Sequence, residues 1–262
     1  FFQTPPPPQM QRRNFLQLSI TAGTGLVAGL SSCASKETES DKLMGLASLS
    51  KEAQPISKEE IESRIAKAQA LLQEKKMGAL ILDCGTSMNY FTGVRWWPSE
   101  RTLLAIIPAK GAVTYVCPAF EKDRLQEQVT IGKDIYVWEE DESPFALVAP
   151  ILKDLGLSSG NIGLEEQVRF FIADSLRKAA PAFDLVSGDP ISIPCRIVKS
   201  AAEIKLMQIA NNITLAAIKY GVSQLKEGMQ QHELSALIMQ AQNQLGGDAD
   251  FALCLFGKAS AF

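Results

Sequence analysis

His232 is the only histidine in the 262 residues, so it is the one imidazole that a hydrolytic serine or cysteine could use as its base. It stands between Gln231 and Glu233 in a stretch with helical apolar spacing, where a lone histidine reads as a surface or capping residue. No G-x-S-x-G elbow is present, and no glycine pattern of the dinucleotide or P-loop kind opens a helix. The five cysteines, Cys33, Cys84, Cys117, Cys195 and Cys254, are widely separated without a C-x-x-C pair and with only His232 to join them, a spacing that argues against a cysteine-based zinc site. Cys84 and Cys117 have no basic neighbour to favour a thiolate and read as small buried hydrophobes. Asp123 and Asp134, and the acidic run at residues 139–142, read as solvated charge, since nothing near them fixes a metal geometry. One cluster is left. Arg95, Trp96 and Trp97 are three large side chains able to stack: exposed, they form a recognition surface, and buried, they pack their segment onto a helix.

The elements that must hold this cluster read as an α/β layer. Ser57 with Glu60 is a capping box, and Ile61, Ile65, Ala68 and Leu72 recur on one face of a helix over residues 58–77. Residues 79–82 suit a buried strand, and residues 84–87 a turn into the aromatic block. A hairpin comes next, with strands at 102–107 and 112–117 around a turn cluster at 108–111. Residues 120–128 read as a helix, 135–138 as a strand, 145–155 as a helix opened by Ser143 and Pro144, 161–164 as a strand, 168–180 as a helix and 183–186 as a strand. Such alternation predicts a mixed sheet flanked by helices. Turn formers at 187–190 mark a boundary before residues 191–194. Beyond it, Ser200 and Glu203 repeat the capping box. Ile204, Met207, Asn211, Leu215 and Ile218 continue as one face of a long helix, residues 231–245 form a second helix with Leu234, Leu237, Ile238 and Ala241 inward, and 251–256 form a strand. Two helices and a strand are too little for a core of their own, so this second part is expected to be incomplete.

The first residues have a different character. Residues 1–9, with four consecutive prolines, precede Met10, which is a natural start for an export signal. Arg12 and Arg13, with Phe15 and Leu16 after them, resemble the twin-arginine export motif. An uncharged stretch then runs to Ser35, and residues 30–33, Leu-Ser-Ser-Cys, resemble a bacterial lipobox that would make Cys33 the lipidated N-terminus. The competing readings are a cleaved signal without lipid or an uncleaved membrane anchor over residues 14–35, the latter weakened by three glycines and many hydroxyl residues. These features divide the chain in three: signal and polar tether at 1–54, the α/β domain at 55–190, and a linker with the start of a second domain at 191–262. The expected location is the periplasm or a membrane-anchored lipoprotein of a bacterium, with membrane contact only through that signal or lipid. Export would also permit a disulfide among the four later cysteines. The charge of −3, without a basic stripe, argues against nucleic acid.

Residues 89–93, Asn-Tyr-Phe-Thr-Gly, the strand after Arg101, and residues 118–121, Pro-Ala-Phe-Glu, resemble the N-terminal domain of the creatinase and prolidase family. Residues 196–200 with Glu203, Ile204, Met207 and Ala210 are similar to that family's linker, and Gly228, Glu233, Leu234 and residues 251–262 resemble the start of its pita-bread catalytic domain. The resemblance implies a creatinase-type N-terminal domain followed by the first helices and strand of an incomplete α+β pita-bread domain. For the parent protein it implies an Xaa-Pro aminopeptidase or dipeptidase, hydrolysing peptides with proline at the second position through a water held by two divalent metal ions. The family's ligands, two Asp, one His and two Glu, and a proline-histidine pair are expected beyond Phe262. No catalytic or metal-binding residue is therefore assigned in this chain, which is expected to be inactive by itself. Assembly as a dimer or larger is implied, with Trp96 and Trp97, and also Phe251 and Phe256, as candidates to lie near substrate. Two other readings share the fold: a creatinase-like amidinohydrolase and a catalytically dead member that binds peptides or proteins.

Overall fold

The computed structural model describes residues 45–132 and 134–261, so Arg12, Arg13, Phe15, Leu16 and Cys33 lie outside the described residues. Helix α1, Lys58–Glu74, starts where Ser57 Oγ accepts the Glu60 amide at 3.2 Å and buries Ile61, Ile65, Ala68 and Leu72. Strand β1, Met77–Asp83, has no exposed residue and lies in the middle of the sheet. Helix α2, Thr86–Thr92, occupies the place where a turn was expected. Its short polar residues do not show helical periodicity, but Met88 and Phe91, three positions apart, are both fully buried, and Gly93 ends it at φ 78°.

The hairpin forms as predicted, from β2, Leu104–Pro108, and β3, Thr114–Pro118. Then come α3, Lys122–Gln128; β4, Asp134–Trp138; α4, Val148–Asp154; β5, Gly160–Leu164; α5, Phe170–Ala179; and β6, Phe183–Ser187. The six strands form one sheet in the order β4-β3-β2-β1-β5-β6, in which β2 runs against the other five. Alternate residues of β1 feed opposite faces. Leu80 and Leu82 join α1, α2 and Leu125 of α3 in one core, and Ala79 and Ile81 join α4 and α5 in the other.

Helix α6, Asp189–Arg196, begins inside the turn cluster predicted at 187–190. Pro190 suits a first helical turn, Ile191 and Cys195 reach the first core at i and i+4, and outside donors satisfy the last carbonyls. Lys67 Nζ donates to Pro194 O at 2.7 Å and the Tyr90 hydroxyl to Cys195 O at 2.6 Å. Gly188 is required here, because a Cβ would sit 2.5 Å from Leu80 Cδ1 and 2.8 Å from Leu164 O.

Helices α7, Ala201–Ser223, and α8, Gln231–Gln244, pair around Ile213, Ala217, Tyr220, Leu234 and Ile238. The face of α7 read from the sequence is its outward one. Ile204, Met207, Leu215 and Ile218 are between 41% and 57% exposed, because the helix is apolar on two sides and α8 takes the other. Residues 251–256 are not a strand. Their burial still alternates, with Ala252 and Cys254 against the α7–α8 cluster and Phe251, Leu253 and Leu255 in solvent. Among the described residues no neighbouring strand supplies a ladder, so side chains serve instead: Ser235 Oγ donates to Ala252 O, and Phe256 N donates to Gln231 Oε1 at 3.3 Å. Among the described residues no helix is long and apolar enough to cross a membrane.

Candidate functional site

In open sheets of mainly parallel strands, ligands collect outside the carboxyl ends, where chain connections diverge to either side. Here that point lies between β1 and β5, and two carboxylates end there. Asp83 closes β1 and Glu165 comes directly after β5, each only 3% exposed. Each has a guanidinium partner. Arg169, from the turn before α5, binds both oxygens of Asp83 at 2.7 and 3.1 Å. Arg196, ending α6, donates to Ser87 Oγ at 2.7 Å and lies 3.9 Å from Glu165 Oε1, while the Ser87 hydroxyl itself donates to Glu165.

A second polar group joins α7 to α1 beside this edge. Arg64 of α1 donates to Glu60 Oε1 at 2.6 Å and to the Tyr90 carbonyl at 3.0 Å, lies 3.3 Å from Glu203 Oε1, and covers the Tyr90 ring at 4.1 Å. The Ser200 hydroxyl donates to Glu60 at 2.7 Å. Two open cavities flank the junction. One, of about 340 Å³, is lined by Tyr90, Glu166, Ser192, Arg196 and Glu203, among others, and the other, of about 640 Å³, includes Arg64, Asn89, Tyr90, Arg95, Lys199 and Met207.

The chemistry available here is binding and positioning. Ser87 beside a carboxylate has the outline of an activated nucleophile, yet it is 2% exposed, hydrogen-bonded to an arginine and sealed from substrate. Burial, and secondarily the Asp83 charge, pushes the Cys84 thiol up to about 12; burial and Glu121 do the same for Cys117, so neither supplies a thiolate. Cys84, Cys117, Cys195 and Cys254 are free thiols, not the disulfide that export would permit. Among the described residues no three His, Cys, Asp or Glu side chains gather as a metal site requires. Asp83 and Glu165, the most buried acids among the described residues, are already satisfied by arginines, so these residues do not fit a metal pair.

The aromatic pair separates. Trp96 is 7% exposed, sits in the first core and carries the Arg124 guanidinium of α3 over its ring at 4.3 Å. Trp97 is 86% exposed. Phe251 and Phe256 are exposed on the far segment, and neither cavity is lined by any of these four residues. His232 is exposed at the start of α8, and Asp123, Asp134 and residues 139–142 are exposed as well. Sequence reasoning missed Arg64, Arg169 and Arg196, together with Asp83 and Glu165. Its one available signal was an acid ending each of two apolar strand runs.

The sheet order, the one reversed strand and the helices on both faces define a creatinase-type architecture. The sequence profile of the creatinase/prolidase N-terminal domain matches residues 64–198, and the chain belongs to that family. An uncharacterized peptidase of Schizosaccharomyces pombe is 34% identical over 203 residues, covering 71% of this chain and 43% of the relative. The putative dipeptidase YkvY of Bacillus subtilis is 24% identical over 201 residues, covering 76% of this chain and 55% of its own. The crystal structure of a prolidase from Thermococcus sibiricus superposes with a TM-score of 0.63 at 22% identity, over 73% of this chain and 51% of that one, which shows the shared fold. The chain spans about half the length of the curated relatives it matches.

Proposed function

We propose that this chain is the N-terminal portion of an exported peptidase that cleaves peptides with proline at the second position. In this reading residues 55–190 form an auxiliary domain, and residues 191–262 lead into a catalytic half carrying the metal ligands. The observation that carries it is the open apolar face of α7. Ile204, Met207, Leu215, Ile218 and Val222 of α7, with Leu225 just after it, are between 41% and 57% exposed, and Phe251, Leu253 and Leu255 are exposed as well. A face of that kind marks an interface with further protein. Relatives of whose length the match covers about half, named as peptidases and a putative dipeptidase, supply the chemistry of the reading.

A bound pair of divalent ions would activate the attacking water and stabilise the oxyanion; no described residue of this chain is assigned to holding it. What the chain contributes is a rigid domain whose arginine-tied edge orients the catalytic half and its substrate. Dimeric or higher association belongs to the same reading. The protein as its gene encodes it should hydrolyse an Xaa-Pro dipeptide and lose that activity on chelation, regaining it with added divalent metal, whereas residues 34–262 alone should hold no stoichiometric metal and cleave nothing. Robust cleavage by residues 34–262, or none by the gene product, would overturn the proposal. Export as a lipoprotein is checked separately in a bacterial host, where Cys33→Ala should abolish acyl labelling; unchanged labelling would remove the lipid anchor.

A further inference from the structure

The larger cavity beside the junction of α1 and α7, about 640 Å³, lies in the size range of small-molecule sites. Its charges are unevenly matched. Arg64 is held by Glu60 and Glu203, and Arg196 has the buried Glu165 within 3.9 Å. Glu203, the one acid in the lining, has both oxygens in use: Oε1 lies 3.3 Å from Arg64, and Oε2 accepts the Ser200 amide at 2.8 Å. Arg95 and Lys199 are left over, and among the described residues neither pairs with a carboxylate. The Arg95 amide donates to Gln128 Oε1 at 3.0 Å, which holds its backbone and leaves the guanidinium free. Lys199 Nζ donates to Arg196 O at 2.8 Å, so its ammonium is anchored at the end of α6 by a neutral carbonyl. The Asn89 side chain of α2 adds a further donor without a partner among the described residues. The cavity therefore holds donors and positive charge in excess, with no carboxylate to spare. Ile56, Ile61, Leu206 and Met207 also line it and give it an apolar wall.

We propose that this cavity binds an amphipathic organic carboxylate, its head on Arg95 and Lys199 and its aliphatic body against Ile56, Ile61, Leu206 and Met207. The planar guanidinium offers paired donors to the head, and the ammonium adds charge. Burial of the tail separates such a ligand from an inorganic anion. Arg95 follows α2, Lys199 follows α6 and Met207 belongs to α7, so one ligand bridges the helical pair to the sheet domain. The site stands apart from the peptidase reading: it needs no metal, and its positive end disfavours the ammonium that a free dipeptide carries.

Calorimetric titration of this chain with octanoate at low ionic strength should give one site with a Kd of about 1 mM or tighter. Inorganic phosphate offers charge alone and octanol the tail alone, so each should bind at least about tenfold more weakly, and alanyl-proline likewise. Arg95→Gln combined with Lys199→Gln should weaken octanoate about tenfold, and Met207→Glu, which sets a like charge on the apolar wall, should do the same. Leu215→Lys, on the open face of α7 but outside the cavity lining, should leave the affinity unchanged. Arg95, Lys199 and Met207 are exposed, so the variants should melt close to the unsubstituted chain. Absent octanoate binding, equal binding of phosphate or octanol, or an affinity retained in the double variant and in Met207→Glu would overturn the proposal. An equal loss in Leu215→Lys would do so too, since it marks adsorption along α7. Alanyl-proline bound as tightly as octanoate would overturn it in favour of a peptide site, and hydrolysis by the protein as its gene encodes it decides the peptidase reading separately.

Discussion

Arg64 shows how one side chain can join two parts of the chain. It is 9% exposed, and it faces Glu60 from its own helix, Glu203 from α7 and the carbonyl and ring of Tyr90. Replacing it by leucine strands two acids beside each other, so Arg64→Leu should lower the unfolding free energy by about 3–5 kcal/mol, read by urea titration. Burial pushes the Glu60 carboxyl up, but the Ser200 hydroxyl and Arg64 together outweigh it and hold the group below its ordinary 4.5. A depressed folded value means stability that is fully present above 4.5 and lost as the pH falls through the lowered value. Acid-induced loss of stability should accordingly be shallower below 4.5 in Arg64→Leu than in the parent chain. In the sequence, Ser200 and Glu203 were legible as a capping box, and both cap bonds form, at 3.1 and 2.8 Å. Their second task, holding α7 to α1, was not legible, because capping is local and Glu60 is 140 residues from Ser200.

At the scale of elements, agreement tracked amphipathic contrast. Helix α1 and the hairpin formed where expected because each carries a clear period and a clear stop. Helices α2 and α6 are short and rich in polar or turn-forming residues, so their helical state depends on core contacts made by two residues each, Met88 with Phe91 and Ile191 with Cys195. Helix α7 forms where expected, but its apolar positions cover two faces, and periodicity cannot say which one meets α8. The two faces should respond differently to substitution. In this chain Met207→Glu or Leu215→Lys should change the unfolding free energy by about 0.5 kcal/mol or less, whereas Ile213→Ala should cost about 2–5 kcal/mol. Equal losses on both faces, measured by urea titration, would contradict the open face.

Over the whole molecule, the cores on either side of the sheet leave the carboxyl edge as the place where distant segments meet. Arg169 brings the Trp97 loop to β1, Arg196 brings α6 to Ser87 and Glu165, and Arg64 brings in α7. The segment before α1 also reaches the α7–α8 pair, where Leu46 packs into its cluster and Leu49 N donates to Leu245 O at 2.8 Å. Arginine bridges and this backbone strap, rather than one continuous core, thus join the helical pair to the sheet domain.

The sequence alone determined the α/β class, the mixed sheet, most helix and strand positions and the family, because these rest on apolar periodicity and local caps that each segment carries within itself. Only the tertiary structure decided that Trp96 is core and Trp97 is surface, that the α7 face carrying Ile204, Met207, Leu215 and Ile218 is open, and that Asp83 and Glu165 are held by arginines. Those outcomes depend on β1 lying beside β5, a pairing that brings Asp83 to a partner 86 residues away and that no local period encodes.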